Sequence, residues 1–226
     1  QMASAEDIKK LLKSERFSVG LIPQLEAYLI SQVDSAAYDF EANRTLIKLY
    51  QFFPTNSNSD CITVAGLLAM IYGELSEFGA ISCLIPESQK SVEPFPLLIR
   101  AVESRDACTF ATFWSVFDSI VGGDAVNRLV KSDKARTALR KSILNTISLS
   151  YKNIGVAQAL AHLDIKSEAE LSSFVKDNAT VENISSDTLT FISNAENTKR
   201  DKVSQEGGVD YSTIRGLMAS ATVADE

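Results

Sequence analysis

The chain has 226 residues, with hydrophobic residues at 45 % and charged residues at 23 %, an ordinary globular balance rather than a disordered one. Its 22 basic and 29 acidic residues leave a net charge of −7, which repels phosphate backbones at long range and argues against primary binding to bare nucleic acid. Only 10 glycines and 5 prolines are present, so turns are few and helices are favoured over many short strands. Cys61, Cys83 and Cys108 are widely spaced and never form a CxxC pair, as suits buried thiols in a reducing compartment. The start of the chain is charged from Glu6 to Lys10 and lacks the basic and apolar regions of a signal peptide. The longest apolar run, Cys61 to Tyr72, is too short to span a bilayer. A soluble intracellular protein is expected.

In chain order, Pro23 to Val33 carries Leu25, Tyr28, Leu29 and Val33 at helical spacing. The segment Ala36 to Phe53 places Asp39 and Glu41 in an early turn, where the helix dipole favours negative charge. Leu46, Ile47, Leu49, Tyr50 and Phe53 cover more than one face, which predicts an inner helix. Pro54 and the polar run Thr55 to Asp60 read as a loop, and Ile62 to Leu75 as a second inner helix. Pro86 to Pro96 reads as a loop, followed by helices at Leu97 to Val102 and Thr109 to Val121. In the latter, Phe110, Phe113, Trp114 and Phe117 form an aromatic stripe that reads as core. Stacked helical pairs of this length suggest a short solenoid, although no fixed sequence period is visible.

After Gly122 and Gly123 the pattern changes. Leu139, Ile143, Ile147 and Tyr151 mark one long helix over Ala135 to Tyr151. Val156 to Leu163 is a short helix with Ala157, Leu160 and Leu163 expected inward, and Asp164 to Lys166 is a tight turn. Ser167 caps a third helix, with Glu170 completing a capping box and Leu171, Phe174 and Val175 facing in. Thr188 to Ile192 alternates as a strand and pairs with Thr180 to Asn183 across Ile184 to Asp187. Three helices and a β-hairpin are the ingredients of a winged helix. The expected division is therefore 1–130 (helical repeat), 131–198 (winged helix) and 199–226 (linker and C-terminal helix). In the last part, Lys199 to Gly208 reads as linker, and Asp210 caps a helix carrying Tyr211, Ile214, Leu217 and Met218. At this length the helix is marginal alone, so these residues are candidates for docking on a partner or on the chain itself.

Catalytic equipment is sparse. His162 is the only histidine, and GxSxG, HExxH, GxGxxG and GxxxxGK[ST] are all absent. Three scattered cysteines and one histidine offer no zinc set. Neither an enzyme nor a cofactor is expected. The third helix of a winged helix normally enters the major groove of DNA. Here Tyr151 to Ser193 holds three lysines against six carboxylates, leaving −3, so specific DNA binding is disfavoured and a protein-facing surface fits better. Residues 128–141 run the other way. Arg128, Lys131, Lys134, Arg136, Arg140 and Lys141 oppose only Asp133, leaving +5. The plain reading is a solvated helix start; the sharper one is contact with ribosomal RNA or an acidic partner.

The string AYDFEANRTLIKLYQFFP (Ala37 to Pro54) resembles a hallmark segment of the subunit K family of eukaryotic translation initiation factor three. FATFWSVFD (Phe110 to Asp118), LRKSILNTISLSYKNI (Leu139 to Ile154) and VDYSTIRGLMAS (Val209 to Ser220) extend the resemblance in the same order. It implies a PCI-type scaffold subunit, mainly α, with a HEAT-like helical-repeat domain followed by a winged helix. The implied role is non-catalytic, in a large cytoplasmic (and also nuclear) assembly that helps recruit the small ribosomal subunit and messenger RNA. Implied partners are the other subunits, above all subunit L, with no membrane. The rival readings are a small PCI-type subunit of the signalosome or proteasome lid, a winged-helix nucleic-acid-binding regulator and, last, a small hydrolase using His162.

Overall fold

The computed structural model of the chain describes residues 5–14, 17–176, 178–185, 187–198 and 210–221. The first half is α1 (Ala5–Ser14), α2 (Ile22–Ser35), α3 (Phe40–Phe52), α4 (Ser59–Tyr72), α5 (Leu75–Leu84), α6 (Glu87–Lys90) and α7 (Phe95–Asp106). Next come α8 (Phe110–Asp118), α9 (Asp124–Val130), α10 (Asp133–Ser150), β1 (Asn153–Gly155) and α11 (Val156–Leu163). α12 (Glu168–Lys176), β2 (Val181–Ile184), β3 (Thr188–Phe191) and α13 (Tyr211–Ala221) complete the order. The chain is mainly α, with helical repeats followed by a winged-helix region.

α4 is the axis of the first half. Every residue from Cys61 to Ile71 is buried, and α2, α3, α5, α7, α9 and α10 all pack against it. A helix apolar on all sides must be surrounded, and the sequence of α4 allows no other placement. Gly66 lets α7 come close, since a Cβ there would lie 2.8 Å from Leu98 Cδ2 and 3.3 Å from Phe95 Cε2. Arg105 near the end of α7 donates from Nη1 to the carbonyl of Met70 at 2.9 Å, satisfying an orphan acceptor in the last turn of α4.

α2 and α3 are joined by a buried amide pair. Gln32 Nε2 donates to Asn43 Oδ1 at 2.8 Å, and Asn43 Nδ2 donates back to Gln32 Oε1 at 3.0 Å. The Asp39 backbone N–H also donates to Gln32 Oε1 at 2.9 Å. α3 begins at Phe40 rather than Ala36. Ala36 ends α2 in the left-handed region (φ 53), and the Asp39 side chain caps α3 by accepting the Ala42 N–H at 3.1 Å.

Other boundaries move for identifiable reasons. The apolar run from Ile62 stops at Tyr72 because Gly73 and Glu74 leave helical geometry, and Glu74 with Glu77 forms a capping box that opens α5. The Pro86 to Pro96 stretch contains the short α6 and the first turn of α7, where Pro96 fits without loss of a hydrogen bond. In α11 the buried residues are Val156, Ala159 and Leu163, while Ala157 faces solvent.

In the winged-helix region the sheet order is β1-β3-β2, all antiparallel. The expected hairpin is β2–β3, and Leu189 and Phe191 of β3 point into the core with Leu163, Leu171 and Val175. β1 adds a third strand through the pairs Asn153↔Thr190, Ile154↔Leu189 and Gly155↔Thr188. The aromatic stripe on α8 is core, as expected, with Phe113 flanked by Trp114 and Phe117 at centroid distances of 5.0 and 5.7 Å.

Candidate interaction surface

The groups with catalytic potential are dispersed. His162 lies half-buried on α11 with its ring 5.5 Å from Phe110, edge to face, and its Nδ1 has no hydrogen-bond partner among the described residues. The cleft beside it, about 340 Å³, is lined by Tyr151, Asn153, Ile154, Gly155, Gln158 and Thr188, which bring it no carboxylate or thiol. Cys61 is buried, and burial pushes its thiol up to about 11, while a hydrogen bond with Tyr50 acts the other way. Burial likewise raises the Tyr50 hydroxyl, which donates to the Glu26 carboxylate. Cys83 and Cys108 are exposed. Among the described residues no group of three or more His, Cys, Asp or Glu is placed to hold a metal ion. Among them, too, no helix is long and apolar enough to cross a membrane.

The positive segment 128–141 splits into two chemically different sets. Arg128, on α9, pairs with Asp34 of α2 and with Asp124 at 2.9 Å. Arg136 pairs with Asp118 and, at 2.8 Å, with Asp164, while its guanidinium lies 5.4 Å over the Trp114 ring. Arg140 donates to the carbonyl oxygens of Leu163 (2.9 Å) and Asp164 (2.5 Å), and its other edge meets Glu170 at 3.4 Å. All three arginines are therefore intramolecular struts. Lys131, Lys134 and Lys141 are exposed, and among the described residues none of their side chains makes an ion pair or hydrogen bond. Lys134 and Lys141 share one face of α10 with Thr137 and Ala138, around an open groove of about 370 Å³ that Asp133 closes at one end.

Arg136 and Arg140 belong to a joint that the sequence does not reveal. α11 ends at Leu163, and Asp164 turns the chain in the left-handed region (φ 50), leaving terminal carbonyls without helical partners. Arg140 fills two of them, and the Trp114 indole N–H, from α8, fills a third by donating to the His162 carbonyl at 2.9 Å. α8, α10 and the end of α11 are thus tied by charged hydrogen bonds around one indole ring. Glu170 is drawn into the same joint. Its backbone N–H donates to Ser167 Oγ at 3.2 Å, as the expected cap requires, but its carboxylate turns to Arg140 and leaves the capping box half-formed.

The C-terminal helix α13 begins as expected. Asp210 accepts from the Thr213 N–H at 2.7 Å and from the Ser212 hydroxyl at 2.6 Å, and these bonds hold its carboxyl down at about 2. Tyr211, Ile214 and Met218 are 80 %, 46 % and 68 % exposed. The Leu217 side chain, and the expected linker Lys199 to Gly208, lie outside the described residues.

No protein-family model matches the chain. Curated relatives do. Eukaryotic translation initiation factor 3 subunit K of Xenopus laevis is 26 % identical over 228 residues, covering 97 % of this chain and 100 % of its own length. The chain is similar to this K subunit over its whole length. The K subunit of Dictyostelium discoideum is 25 % identical over 191 residues, covering 84 % of this chain and 74 % of its own length. That of Homo sapiens is 26 % identical over 149 residues, 66 % of each. The resemblance carried by the Ala37 to Pro54 string thus extends to K subunits of distant eukaryotes.

Proposed function

We propose that this chain is a non-catalytic scaffold subunit of eukaryotic translation initiation factor 3, supporting assembly of the pre-initiation complex on the small ribosomal subunit. The observation that carries this reading is the end-to-end similarity to a K subunit, 97 % of this chain against 100 % of the relative. The fold is compatible with it, since the Gln32–Asn43 pair and the Arg136 and Arg140 cluster join one helix to another. Its partners are the other subunits of the factor, subunit L above all, and its place of work is the cytoplasm. We further propose the division 1–130, 131–198 and 199–226, with the last part docking through Tyr211, Ile214, Leu217 and Met218. The rival reading, a subunit of the signalosome or proteasome lid, lacks any comparable relative among the proteins described above.

Affinity purification of the tagged chain from its own cells tests the proposal. Initiation-factor subunits are expected in stoichiometric yield, and a chain that migrates alone as a monomer overturns it. Deleting Val209 to Glu226 takes away α13, on which Tyr211, Ile214 and Met218 are exposed, and the body is expected to stay folded. Recovery of the other subunits should drop roughly tenfold, equivalent to ~1.4 kcal/mol of docking free energy. Undiminished recovery would assign the docking surface to the body instead.

A further inference from the structure

The split of the positive segment isolates a surface that its summed charge conceals. We infer that the α10 face formed by Lys134, Thr137, Ala138 and Lys141 seats an acidic helix of another polypeptide. Three features lead there. First, Lys134 and Lys141 are exposed and their side chains make no ion pair among the described residues, on a chain whose net charge is −7. Second, the floor of the groove is Thr137 and Ala138, small enough for a second helix axis to approach within about 8–10 Å. Third, Lys134 and Lys141 stand two turns apart, about 10 Å along α10, the spacing of carboxylates at positions i and i+7 of an aligned helix.

Asp133 closes one end of the groove with a negative charge and so disfavours a partner carboxylate there, which gives the seat a polarity. The lysine stems can line the walls of the groove while their ammonium groups reach the partner's rim. A protein helix fits this surface better than RNA does. Nucleic acid binding draws its strength from many phosphate contacts, whereas this groove offers two lysine ammonium groups against a repulsive overall field.

The inference deepens the assembly reading, but its test does not pass through assembly. The full-length chain is titrated at low salt into a labelled, end-capped helical peptide of about 20 residues bearing glutamates at i, i+3 and i+7. A Glu→Gln version of the peptide and a short single-stranded oligouridylate are titrated in parallel. Binding of the Glu peptide alone is expected, weakening with added salt and falling about tenfold or more in K134E/K141E. Lys176→Glu, an exposed change on α12, should leave it unchanged. K134A/K141A provides a milder variant with a smaller loss in the same direction. Equal binding of both peptides, or binding untouched by the α10 changes, overturns the inference. So does tighter binding of the oligouridylate that is lost in K134E/K141E, which would make the partner RNA. Loss confined to the α10 variants supports the inference whether or not the chain co-purifies with the factor.

Discussion

Replacing Arg136 and Arg140 together by alanine should cost ~3–4 kcal/mol and lower the melting temperature by roughly 6–16 °C. The reason lies in what the two guanidinium groups leave behind. Without Arg140 the carbonyls of Leu163 and Asp164 lose the charged donor that both of them share. Without Arg136 the carboxylates of Asp118 and Asp164 face each other's neighbourhood uncompensated, and the Trp114 ring loses its cation. Trp114 is the only tryptophan, so its fluorescence reports on the joint directly. A red shift in the folded double variant, at temperatures where circular dichroism is still native, is the signature of an opened joint. K134E/K141E is the control from the same helix and should stay within about 0.5 kcal/mol of the parent. Equal destabilisation by both pairs would refute the division into struts and free lysines.

The second large effect concerns the amide pair between α2 and α3. Gln32→Leu strands the Asn43 side-chain amide and the Asp39 N–H in a buried site, at a cost of ~2–4 kcal/mol. Asn43→Leu strands Gln32 in turn and should cost a comparable ~2–3 kcal/mol. The double variant leaves fewer polar atoms orphaned than the two single changes imply, so it should be more stable than their sum by ~1–2 kcal/mol. Urea denaturation of the four proteins completes the cycle. Strict additivity would mean that the two amides contribute independently and that the pair is not what joins these helices.

Periodicity made α2, α10 and the β2–β3 hairpin legible, because each has one buried face and one wet face. It failed where burial or pairing removes that contrast. α5 was hidden behind α4, since Leu75 continues an apolar run and only the Glu74–Glu77 capping box marks the new start. β1 is three residues long with no alternation of its own; β3 makes it a strand. In α11 Leu163 is buried and Leu160 packs against the core as expected, but Ala157 faces solvent and Val156 and Ala159 are buried in its place, a small rotation that short alanine-rich helices do not encode. The positive segment shows a different limit. Charge could be counted from the sequence, but Arg136 meets Asp164 from 28 positions away, and no local pattern announces that. The resemblance to K subunits was carried by the Ala37 to Pro54 string, which forms α3 with its Asp39 cap and one half of the amide pair.

A linear stack of helical repeats can melt from either end, because each unit leans only on its neighbours. The placement of α4 forbids that here. One central rod touches helices drawn from residue 22 to residue 150, so loosening either flank strips the same rod of its cover. Heat should therefore undo the molecule in one calorimetric transition whose van't Hoff and measured enthalpies agree, and two resolved peaks would contradict this. A nascent chain released before α10 is complete would leave that rod wet along one side. Such a molecule has no half-built form worth keeping, and the cell would meet it either whole or as a substrate for its proteases.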